Sequence, residues 1–249
     1  MSRRLVAALA CRNQSARLYA KPLQNLDIEK GLSVLEYILE WIGQFKVIDE
    51  IVLGISEGEE NLAFVEIAKQ KKLSYILGDQ KDVLGRLVQC GEKGNATDVF
   101  RVTTESPFIY IEGIEKAWDE HVLGNYDFTC LDHVPDGSGF EIIRLETLKY
   151  AHDHGDKIHR SEFCSLYIRE HEERFKIQHI EPPAEVKRTD IRLTIDYPED
   201  LILCRAVYSQ FKEKAPFIPL AEVIQYLDAN PDIKKIVEPL VKGVPYYTI

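Results

Sequence analysis

The sequence predicts an α/β fold, in which a mostly parallel β-sheet carries helices on both faces. Short apolar runs that are typical of buried strands alternate along the chain with segments whose apolar residues recur at helical spacing. Such alternation implies parallel pairing of the strands through right-handed crossovers. The length of 249 residues suffices for one substantial core, and a composition of 45% apolar and 29% charged residues is that of an ordinary folded protein.

The first half of the chain has the most regular alternation. We expect its first strand in the apolar run from Arg4 to Ala10, and Ser33 and Asp82 are suitable caps for two of the helices. After the first strand we expect a helix at 34–42, a strand at 49–56, a helix at 61–71, a strand at 73–77, a helix from 83 to about 92, a strand at 97–103, a helix at 112–122 and a strand at 126–131.

The second half is less regular. We expect strands at 140–143, 175–180 and 192–196, and helices at 145–154, at 162–173, from Pro198 onward, and at 218–229. No repeat or low-complexity linker interrupts the chain, so we predict one domain over 1–249, with a C-terminal helix and tail at about 214–249.

Charge is distributed unevenly. The chain has 41 acidic and 31 basic side chains and a formal net charge of −10, yet the first 26 residues contain five basic side chains and no acid. An acidic chain is a poor general nucleic-acid binder, because that binding requires neutralisation of phosphates. A basic segment on an acidic protein suggests a local anion site. The apolar run at 5–10 is too short for a signal-peptide core, and no run is long enough to cross a membrane.

Five cysteines are scattered along the chain, without a C-x-x-C pair. This argues against a disulfide framework and against a zinc knuckle. It fits a reducing compartment, and we expect a cytoplasmic protein.

Ligands of open α/β sheets gather at the carboxyl ends of the strands. The loop after the first strand lacks both the G-x-G-x-x-G and the P-loop patterns, but Arg12, Ser15, Arg17 and Lys21 place three cations and a hydroxyl within ten residues. Arginine grips phosphate oxygens as a fork and lysine supplies a mobile charge, which suits a triphosphate. An ordinary solvated basic loop is the alternative.

Two carboxylates follow predicted strands, Glu105 in the 103–107 segment and Asp196 in the 193–198 segment. If they converged they would suit Mg²⁺, which takes one or two protein carboxylates together with water and phosphate oxygens. Each acid alone is better explained as a helix cap or a turn residue, and sequence spacing does not show that they meet.

These segments resemble the motifs of the cytidylyltransferases, in particular the spore-coat polysaccharide branch, which is related to the synthetases of CMP-3-deoxy-manno-octulosonate and CMP-sialic acids. The resemblance covers about residues 4–208. Its motifs are Arg12-x-x-Ser15-x-Arg17-Leu18-x-x-Lys21, Asp82-Val83-Leu84-Gly85-Arg86, Arg101-x-Thr103-Thr104-Glu105-x-Pro107, Gly137-x-x-x-Glu141, His159-Arg160-Ser161-Glu162 and Arg192-Leu-Thr-Ile-Asp196-x-Pro198.

The resemblance implies a three-layer, nucleotide-diphospho-sugar transferase-like (Rossmann-like) fold and transfer of CMP from CTP to a sugar acid or another small polar or phosphorylated acceptor, with release of pyrophosphate. It implies Mg²⁺ as cofactor, no nucleic-acid or membrane partner, and a homodimer. Residues at about 132–190 would bind the acceptor and contribute to dimerisation, in surface polysaccharide or glycoconjugate precursor synthesis.

The same resemblance assigns roles to individual residues. Arg12, Lys21, Glu105 and Asp196 would be catalytic, with the two acids holding the metal. The nucleotide would be bound by Arg12, Asn13, Ser15, Arg17, Lys21, Asp82, Arg86 and Thr104. The acceptor would be bound by Asp136, Glu141, His159, Arg160 and Glu162. Turns, helix ends and strand faces are the structural alternatives for Asp82, Arg86 and the acceptor group.

Two positions depart from the family pattern. The loop after the first strand contains no glycine, and Ala20 stands where glycine commonly precedes the lysine. Thr104-Glu105 replaces the usual Gly-Asp, so the metal-binding acid is one methylene longer. A non-catalytic CTP-binding relative therefore remains an alternative, as does a glycosyltransferase of similar fold, although the D-x-D metal motif of such enzymes is absent from this sequence.

Overall fold

A seven-stranded sheet forms the centre of the protein in a computed structural model, which describes residues 3–241. The strands are β1 (Leu5–Cys11), β2 (Asn25–Asp27), β3 (Leu32–Ser33), β4 (Glu50–Ser56), β5 (Ser74–Gly78), β6 (Asp98–Arg101), β7 (Phe128–Leu131), β8 (Glu141–Arg144) and β9 (Ile177–Ile180). The α-helices are α1 (Val34–Ile42), α2 (Leu62–Lys71), α3 (Val83–Lys93), α4 (Ile114–Gly124), α5 (Leu145–His154), α6 (Leu166–Glu170), α7 (Pro198–Phe211), α8 (Leu220–Ala229) and α9 (Pro231–Lys234).

The sheet has the strand order β5-β4-β1-β6-β8-β7-β9. Every neighbouring pair is parallel except the two that involve β8, which runs antiparallel to both β6 and β7. No helix lies between β7 and β8, and a strand that returns without a helical crossover pairs antiparallel to the strand it leaves. The mostly parallel α/β sheet predicted from the sequence is therefore confirmed, with β8 as its exception. The short strands β2 and β3 form a separate ribbon, which the sequence analysis missed.

The side chains of β1 point alternately into two apolar layers of the interior. Leu5, Leu9 and Cys11 face the layer that contains α1, α2, α4, α7 and α8. Val6 and Ala8 face the opposite layer, which contains α3, α5 and α6. Because successive side chains of a strand point to opposite faces, one apolar strand supplies both cores. The expected three-layer architecture is confirmed.

The strand predicted at 192–196 does not form. Arg192 makes one isolated bridge to Asp136, and the backbone N–H groups of Leu193 and Ile195 donate to the carbonyl oxygens of Asp136 (2.7 Å) and Glu105 (2.9 Å). Leu193 and Ile195 are fully buried, which produced the strand-like alternation in the sequence. The segment instead bonds to the loops at the carboxyl edge of the sheet, so it joins those loops together.

The helix predicted at 162–173 is shorter than expected, with α6 at Leu166–Glu170 and a 3₁₀ turn at Glu172–Arg174. Residues before α6 are bonded to the sheet instead, since Arg101 donates to the Glu162 carbonyl (3.1 Å) and the Ser165 hydroxyl to Glu141 (2.6 Å). Residues 242–249 of the predicted C-terminal tail lie outside the described part of the chain. Within 3–241, no helix has the length and apolarity that crossing a membrane requires.

The strand order places a crevice beside β1. The chain passes from β1 outward to β4 and β5, and then returns to the other side of β1 with β6. Connections diverge at such a switch point, and this leaves room for a ligand at the carboxyl ends of the strands. The loops that follow β1 and β6 border this crevice.

Helix α3 packs closely on the sheet at Gly54 of β4. A Cβ atom at this position would lie 2.9 Å from Cys90 Sγ and 3.5 Å from Arg86 Cβ, both on α3. The close approach lets Arg86 Nη1 donate to the carbonyl oxygens of Gly54 (2.8 Å) and Cys11 (3.0 Å). The buried guanidinium therefore holds the carboxyl end of β1 against α3.

We expect Gly54→Ala to lower the free energy of unfolding by about 1–3 kcal/mol, because the added methyl group overpacks the contact with Cys90. The loss should be smaller in a Cys90→Ala background, where the clashing sulfur is absent. Urea unfolding of the four proteins in a double-mutant cycle measures this coupling. An equal loss in both backgrounds would contradict the packing argument.

Candidate active site

The loop after β1 is fixed at both of its ends. The Ala20 N–H donates to the Asn13 carbonyl (2.9 Å), which closes residues 13–20 into a compact turn. The Asn13 N–H donates to Asn61 Oδ1 (2.8 Å), and its buried side-chain amide donates to the Glu60 carbonyl. Asn13 thus anchors the loop to the residues that precede α2.

The cations of this loop occupy different depths. The Lys21 side chain is only 9% exposed, whereas the Arg12 and Arg17 side chains are 42% and 48% exposed. Ser15 lies between them and is half-buried. The other basic residues of the acid-free segment are Arg3 and Arg4. They precede β1 and therefore lie at the end of the sheet opposite to the carboxyl ends of the parallel strands. The basic segment therefore contributes three cations to the crevice.

Lys21 brings the two candidate metal-binding carboxylates together. Its Nζ lies 2.5 Å from Asp196 Oδ1 and 4.0 Å from Glu105 Oε1. Arg17 Nη2 lies 3.0 Å from the same Asp196 oxygen, and the Arg17 guanidinium stacks over the ring of Tyr197 at 5.1 Å. Residues from three distant segments thus form one cluster of charges at the carboxyl edge.

The two carboxyl groups have opposite pKa shifts. Burial raises the pKa of Glu105; Lys21 opposes this, and the negative charge of Asp196 adds to it. Burial alone would also raise the pKa of Asp196, but its contacts with Lys21, Arg192 and Arg17 outweigh burial and hold the pKa below its usual value. Asp196 is therefore ionised at neutral pH.

Arg192 holds Asp196 in place. Its guanidinium contacts three carboxylates, at 2.7 Å from Asp196 Oδ2, 2.8 Å from Asp200 Oδ1 and 2.5 Å from Asp136 Oδ2. Asp200 is almost fully buried and also accepts the backbone N–H groups of Asp196 (2.8 Å) and Tyr197 (2.9 Å) at the start of α7. Arg192 is not among the predicted site residues, although its position in the last motif is an available signal.

The donor set at this cluster fits a hard divalent cation. Carboxylate oxygens of Glu105 and Asp196 both approach Lys21 Nζ, so both acids face one small volume. Two carboxylates with room for phosphate and water oxygens are a usual protein contribution to Mg²⁺ binding. A cation bound there would replace the Lys21 ammonium as the partner of both acids.

Two adjoining cavities lie beside the cluster, and Glu105 lines one of them. The first, here the loop cavity, measures about 70 Å³, and its charged lining residues are Arg12, Arg86, Arg101, Glu105 and Glu162. The second, here the β8 cavity, measures about 190 Å³, and its charged lining residues are Arg101, Arg169, Asp132, Asp136, Glu141 and Glu162. The loop cavity lies beside the basic loop, and the β8 cavity lies beyond it over β8.

Three nucleotide-side candidates lie outside the loop after β1. Thr104 lines the loop cavity and donates to the Ala10 carbonyl at the end of β1 (3.0 Å). Arg86 lines the same cavity, and its buried Nε has no hydrogen-bond partner within the described residues. Asp82 lines neither cavity. It caps α3 by accepting the Gly85 N–H (2.7 Å), and it lies 2.7 Å from His152 Nε2.

The acceptor-side candidates divide into two groups. Asp136 and Glu141 line the β8 cavity, and Glu162 lies at its junction with the loop cavity. His159 and Arg160 line neither. His159 Nε2 lies 2.8 Å from Glu170 Oε2, while the Arg160 guanidinium donates to the His152 carbonyl (3.0 Å), so both brace the segment before α6.

Some cavity residues were missed by sequence reasoning. Arg169 donates to both oxygens of Asp132 (2.9 and 3.1 Å), and both side chains line the β8 cavity. Arg101 belongs to one of the motifs but is not among the predicted site residues. The sequence carries no local signal that Arg169, on a short amphipathic helix, pairs with Asp132, an acid after a strand, because the two residues are 37 positions apart.

Ala20 adopts a left-handed conformation, with φ of 53° and ψ of 42°. This conformation costs a residue with a Cβ about 1–2 kcal/mol, which explains why glycine suits the position.

We expect Ala20→Gly to raise the free energy of unfolding by about 0.5–1 kcal/mol, because the relieved strain exceeds the added chain entropy. Ala16, in the same loop but without a positive φ, is the matched control. If Ala16→Gly stabilises the protein as much, the strain argument fails. Urea unfolding measures both.

Comparison with known proteins agrees with the resemblance seen in the motifs. The chain is 28% identical to an uncharacterized protein of Methanocaldococcus jannaschii, over 94% of each chain. It is 26% identical to the spore coat polysaccharide biosynthesis protein SpsF of Bacillus subtilis, over 90% of this chain and 94% of the relative. The structure of a cytidylyltransferase from Leptospira borgpetersenii has the same fold, with a TM-score of 0.84 and 22% identity over 94% of this chain and 97% of that one.

A match to the family described as cytidylyltransferases extends over residues 6–228. This range contains all the motifs identified in the sequence and both cavities of the crevice. Since the match covers most of the chain, the protein belongs to the cytidylyltransferase family.

Proposed function

We propose that the protein transfers CMP from CTP to a hydroxyl group of a small polar acceptor and releases pyrophosphate, with Mg²⁺ held by Glu105 and Asp196. The observation that carries this proposal is the convergence of Lys21, Arg17 and the two carboxylates at the switch point of the sheet. On a chain of the cytidylyltransferase family, such a cluster supplies both phosphate-binding cations and metal-binding oxygens.

The triphosphate would be bound by the loop after β1. Lys21 supplies a buried ammonium, and Arg12 and Arg17 supply exposed guanidinium groups that reach phosphate oxygens from the mouth of the crevice. Phosphate would compete with Asp196 for Lys21 and Arg17. When bound between Glu105 and Asp196, Mg²⁺ would neutralise phosphate charge and leave Lys21 free to contact the triphosphate. Metal and nucleotide would thus bind cooperatively.

The reaction requires no nucleophile from the protein. The acceptor oxygen attacks the α-phosphorus, the bond from this phosphorus to the pyrophosphate oxygen breaks, and the hydroxyl proton is lost to water. Positioning and charge neutralisation contribute most to such a transfer. Cys11, the cysteine next to the basic loop, is unsuited to attack phosphorus because burial raises its pKa to about 12.

The loop cavity is the proposed nucleoside site. Arg86 lines it, and its guanidinium, whose Nε has no hydrogen-bond partner among residues 3–241, is the proposed donor to a carbonyl oxygen of a pyrimidine. Thr104 also lines this cavity and is bonded to the end of β1 through the Ala10 carbonyl. The β8 cavity, which shares Arg101 and Glu162 with the loop cavity, is then the proposed acceptor site.

The relative SpsF supports a role in surface polysaccharide or glycoconjugate precursor synthesis. All five cysteines are buried and free, which supports a cytoplasmic location. The homodimer implied by the resemblance stays a prediction, and light scattering of the purified protein tests it.

The direct test is an assay of the protein with Mg²⁺, one nucleoside triphosphate at a time and a panel of small acceptors that carry hydroxyl, amino, carboxylate or phosphate groups. We expect pyrophosphate release with CTP and a CMP conjugate identified by mass. CTP binding without product from any acceptor would favour the non-catalytic relative. Transfer of a sugar from a nucleotide sugar, without pyrophosphate, would favour the glycosyltransferase.

Asp196→Asn should lower turnover about a hundredfold or more, because the amide cannot neutralise a metal ion and pairs weakly with Lys21. Glu199→Gln is the matched control, since Glu199 is exposed and lies three residues further along the same segment. Circular dichroism and urea unfolding verify that both variants fold. An Asn variant with turnover close to that of the control would remove the metal role of Asp196.

A further inference from the structure

A cysteine, an aspartate and a histidine meet on one face of the sheet, at its β9 edge. Cys130 of β7 and His179 of β9 are paired in the register of these parallel strands, and Asp132 follows Cys130 by two residues. Residues two apart along a strand share a face, so the three side chains point to the same side. The sequence gives no sign of this group, because Cys130 and His179 are 49 positions apart.

The potential ligand atoms of these side chains form a nearly regular triangle. Cys130 Sγ lies 3.3 Å from Asp132 Oδ2 and 3.5 Å from His179 Nδ1. His179 Nδ1 lies 3.5 Å from the same Asp132 oxygen. A tetrahedral Zn²⁺ with its usual bond lengths to sulfur, nitrogen and oxygen holds these atoms about 3.3–3.6 Å apart. The triangle therefore has the size of three corners of a zinc tetrahedron.

Hydrogen bonds within the triangle do not satisfy all three atoms. The other ring nitrogen of His179, Nε2, lies 3.4 Å from Glu172 Oε1, so the ring proton is stabilised on Nε2 and Nδ1 presents a lone pair. Nδ1 and Asp132 Oδ2 then face each other as two acceptors, and the Cys130 thiol supplies one proton between them. A cation at the centre would satisfy the lone pairs of all three atoms.

The surroundings of the triangle also suit a metal. Metal-binding histidines commonly donate their other ring N–H to a carboxylate, as His179 would to Glu172, and ligating carboxylates are themselves hydrogen-bonded. Arg169 donates to both Asp132 oxygens at 2.9 and 3.1 Å, and its charge is balanced by Glu141 at 3.2 Å. Each carboxylate oxygen has two lone pairs, so Asp132 can hold Arg169 and a metal together.

We propose that Cys130, Asp132 and His179 bind Zn²⁺, with water as the fourth ligand. Thiolate and imidazole favour Zn²⁺ over Mg²⁺, which prefers oxygen ligands. The thiol proton is released to solvent as the bond from zinc to sulfur forms, and thiolate and carboxylate then balance the charge of the ion. The Cys130 side chain is fully buried, whereas that of His179 is 51% exposed, so the ion enters from the His179 side.

This site is separate from the Glu105–Asp196 cluster and does not depend on the proposed CMP transfer. Strand β9 is the last strand of the sheet and pairs with β7 alone among the described strands. A zinc ion bound by His179 of β9 and by Cys130 of β7 would add a second connection between them. We therefore assign the ion a structural role at the edge of the sheet.

Cobalt is the probe, because Co²⁺ can replace Zn²⁺ in such sites and gives a charge-transfer band when a thiolate binds it. The whole protein is freed of metals with a chelator, supplied with excess Mg²⁺ to saturate the Glu105–Asp196 cluster, and titrated with Co²⁺ at neutral pH without oxygen. We expect one Co²⁺ per chain, a thiolate charge-transfer band in the near ultraviolet and the intense visible bands of tetrahedral cobalt. Zn²⁺ should abolish these bands. Their absence would overturn the proposal.

Variants locate the site. His179→Gln should weaken Zn²⁺ binding about a hundredfold or more, measured by competition with a chromophoric chelator, and Glu172→Gln about tenfold. His154→Gln, at another exposed histidine, is the matched control and should keep the affinity. Cys130→Ala should lose the cobalt charge-transfer band, whereas Cys204→Ala, at an equally buried cysteine, should keep it. Equal affinities of the two histidine variants, or a band that survives Cys130→Ala, would contradict the assignment.

The structural role has its own measurement. Zn²⁺ should slow amide hydrogen exchange in Ile177–Ile180, because the ion holds β9 to its neighbour. Mg²⁺ should not slow it, and Zn²⁺ should have no such effect on His179→Gln. Because the His179 side chain is half-exposed, this variant removes a ligand without opening a cavity in the core. Zinc binding that leaves exchange in β9 unchanged would overturn the structural role.

Discussion

One guanidinium group, that of Arg192, holds the carboxyl edge of the sheet together. Its side chain is only 8% exposed and contacts Asp136, Asp196 and Asp200 at 2.5–2.8 Å. A buried carboxylate without a cation is strongly unfavourable, so Asp136 and Asp200 depend on Arg192 for their position, whereas Asp196 is held by Arg192 together with Lys21 and Arg17. Asp200 in turn accepts the N–H groups of Asp196 and Tyr197 at the start of α7. The beginning of the helix and the orientation of the candidate metal ligand are therefore set by the same network.

The network also explains why distant segments form one site. Asp196 presents one oxygen to Arg192 and the other to Lys21, which is 175 residues away in the chain. Lys21 reaches this oxygen because its loop is anchored through Asn13 to the residues before α2. The rigid sheet fixes the ends of β1 and β6, and the charged side chains then connect the loops that leave them. The scaffold positions the site, and the ion pairs select the local arrangement.

Sequence reasoning succeeded where the determinants are local. The helix at 34–42 was predicted from its apolar spacing and its Ser33 cap, and the structure shows a capping box between Ser33 and Glu36. The strand predicted from periodicity at 192–196 does not form. Leu193 and Ile195 alternate like strand residues, but they are buried beneath loops. Alternation reports burial, and it does not report whether a neighbouring strand is present.

The site shows the same limit. Its cations and acids were identifiable from motifs, but their partners were not, because the contacts join distant segments. Examples are the pairing of Lys21 with Asp196, the burial of Arg86 against the ends of β1 and β4, and the ion pair of Arg169 with Asp132. Each depends on which strands are neighbours in the sheet. A single sequence carries no local signal for that arrangement, so the partners of these side chains could not be inferred.

The net charge of −10 conceals a separation of charge within the crevice. The loop after β1 brings three cations to one side, whereas the β8 cavity has an excess of carboxylates once its arginines are paired. A triphosphate is attracted to the first region and repelled from the second, because like charges at short range in a poorly solvated cavity repel strongly. In the proposed reaction this separation directs the nucleotide to the basic loop. The β8 cavity then stays open to the acceptor, and the two substrates would meet at Glu105 and Asp196, between the regions.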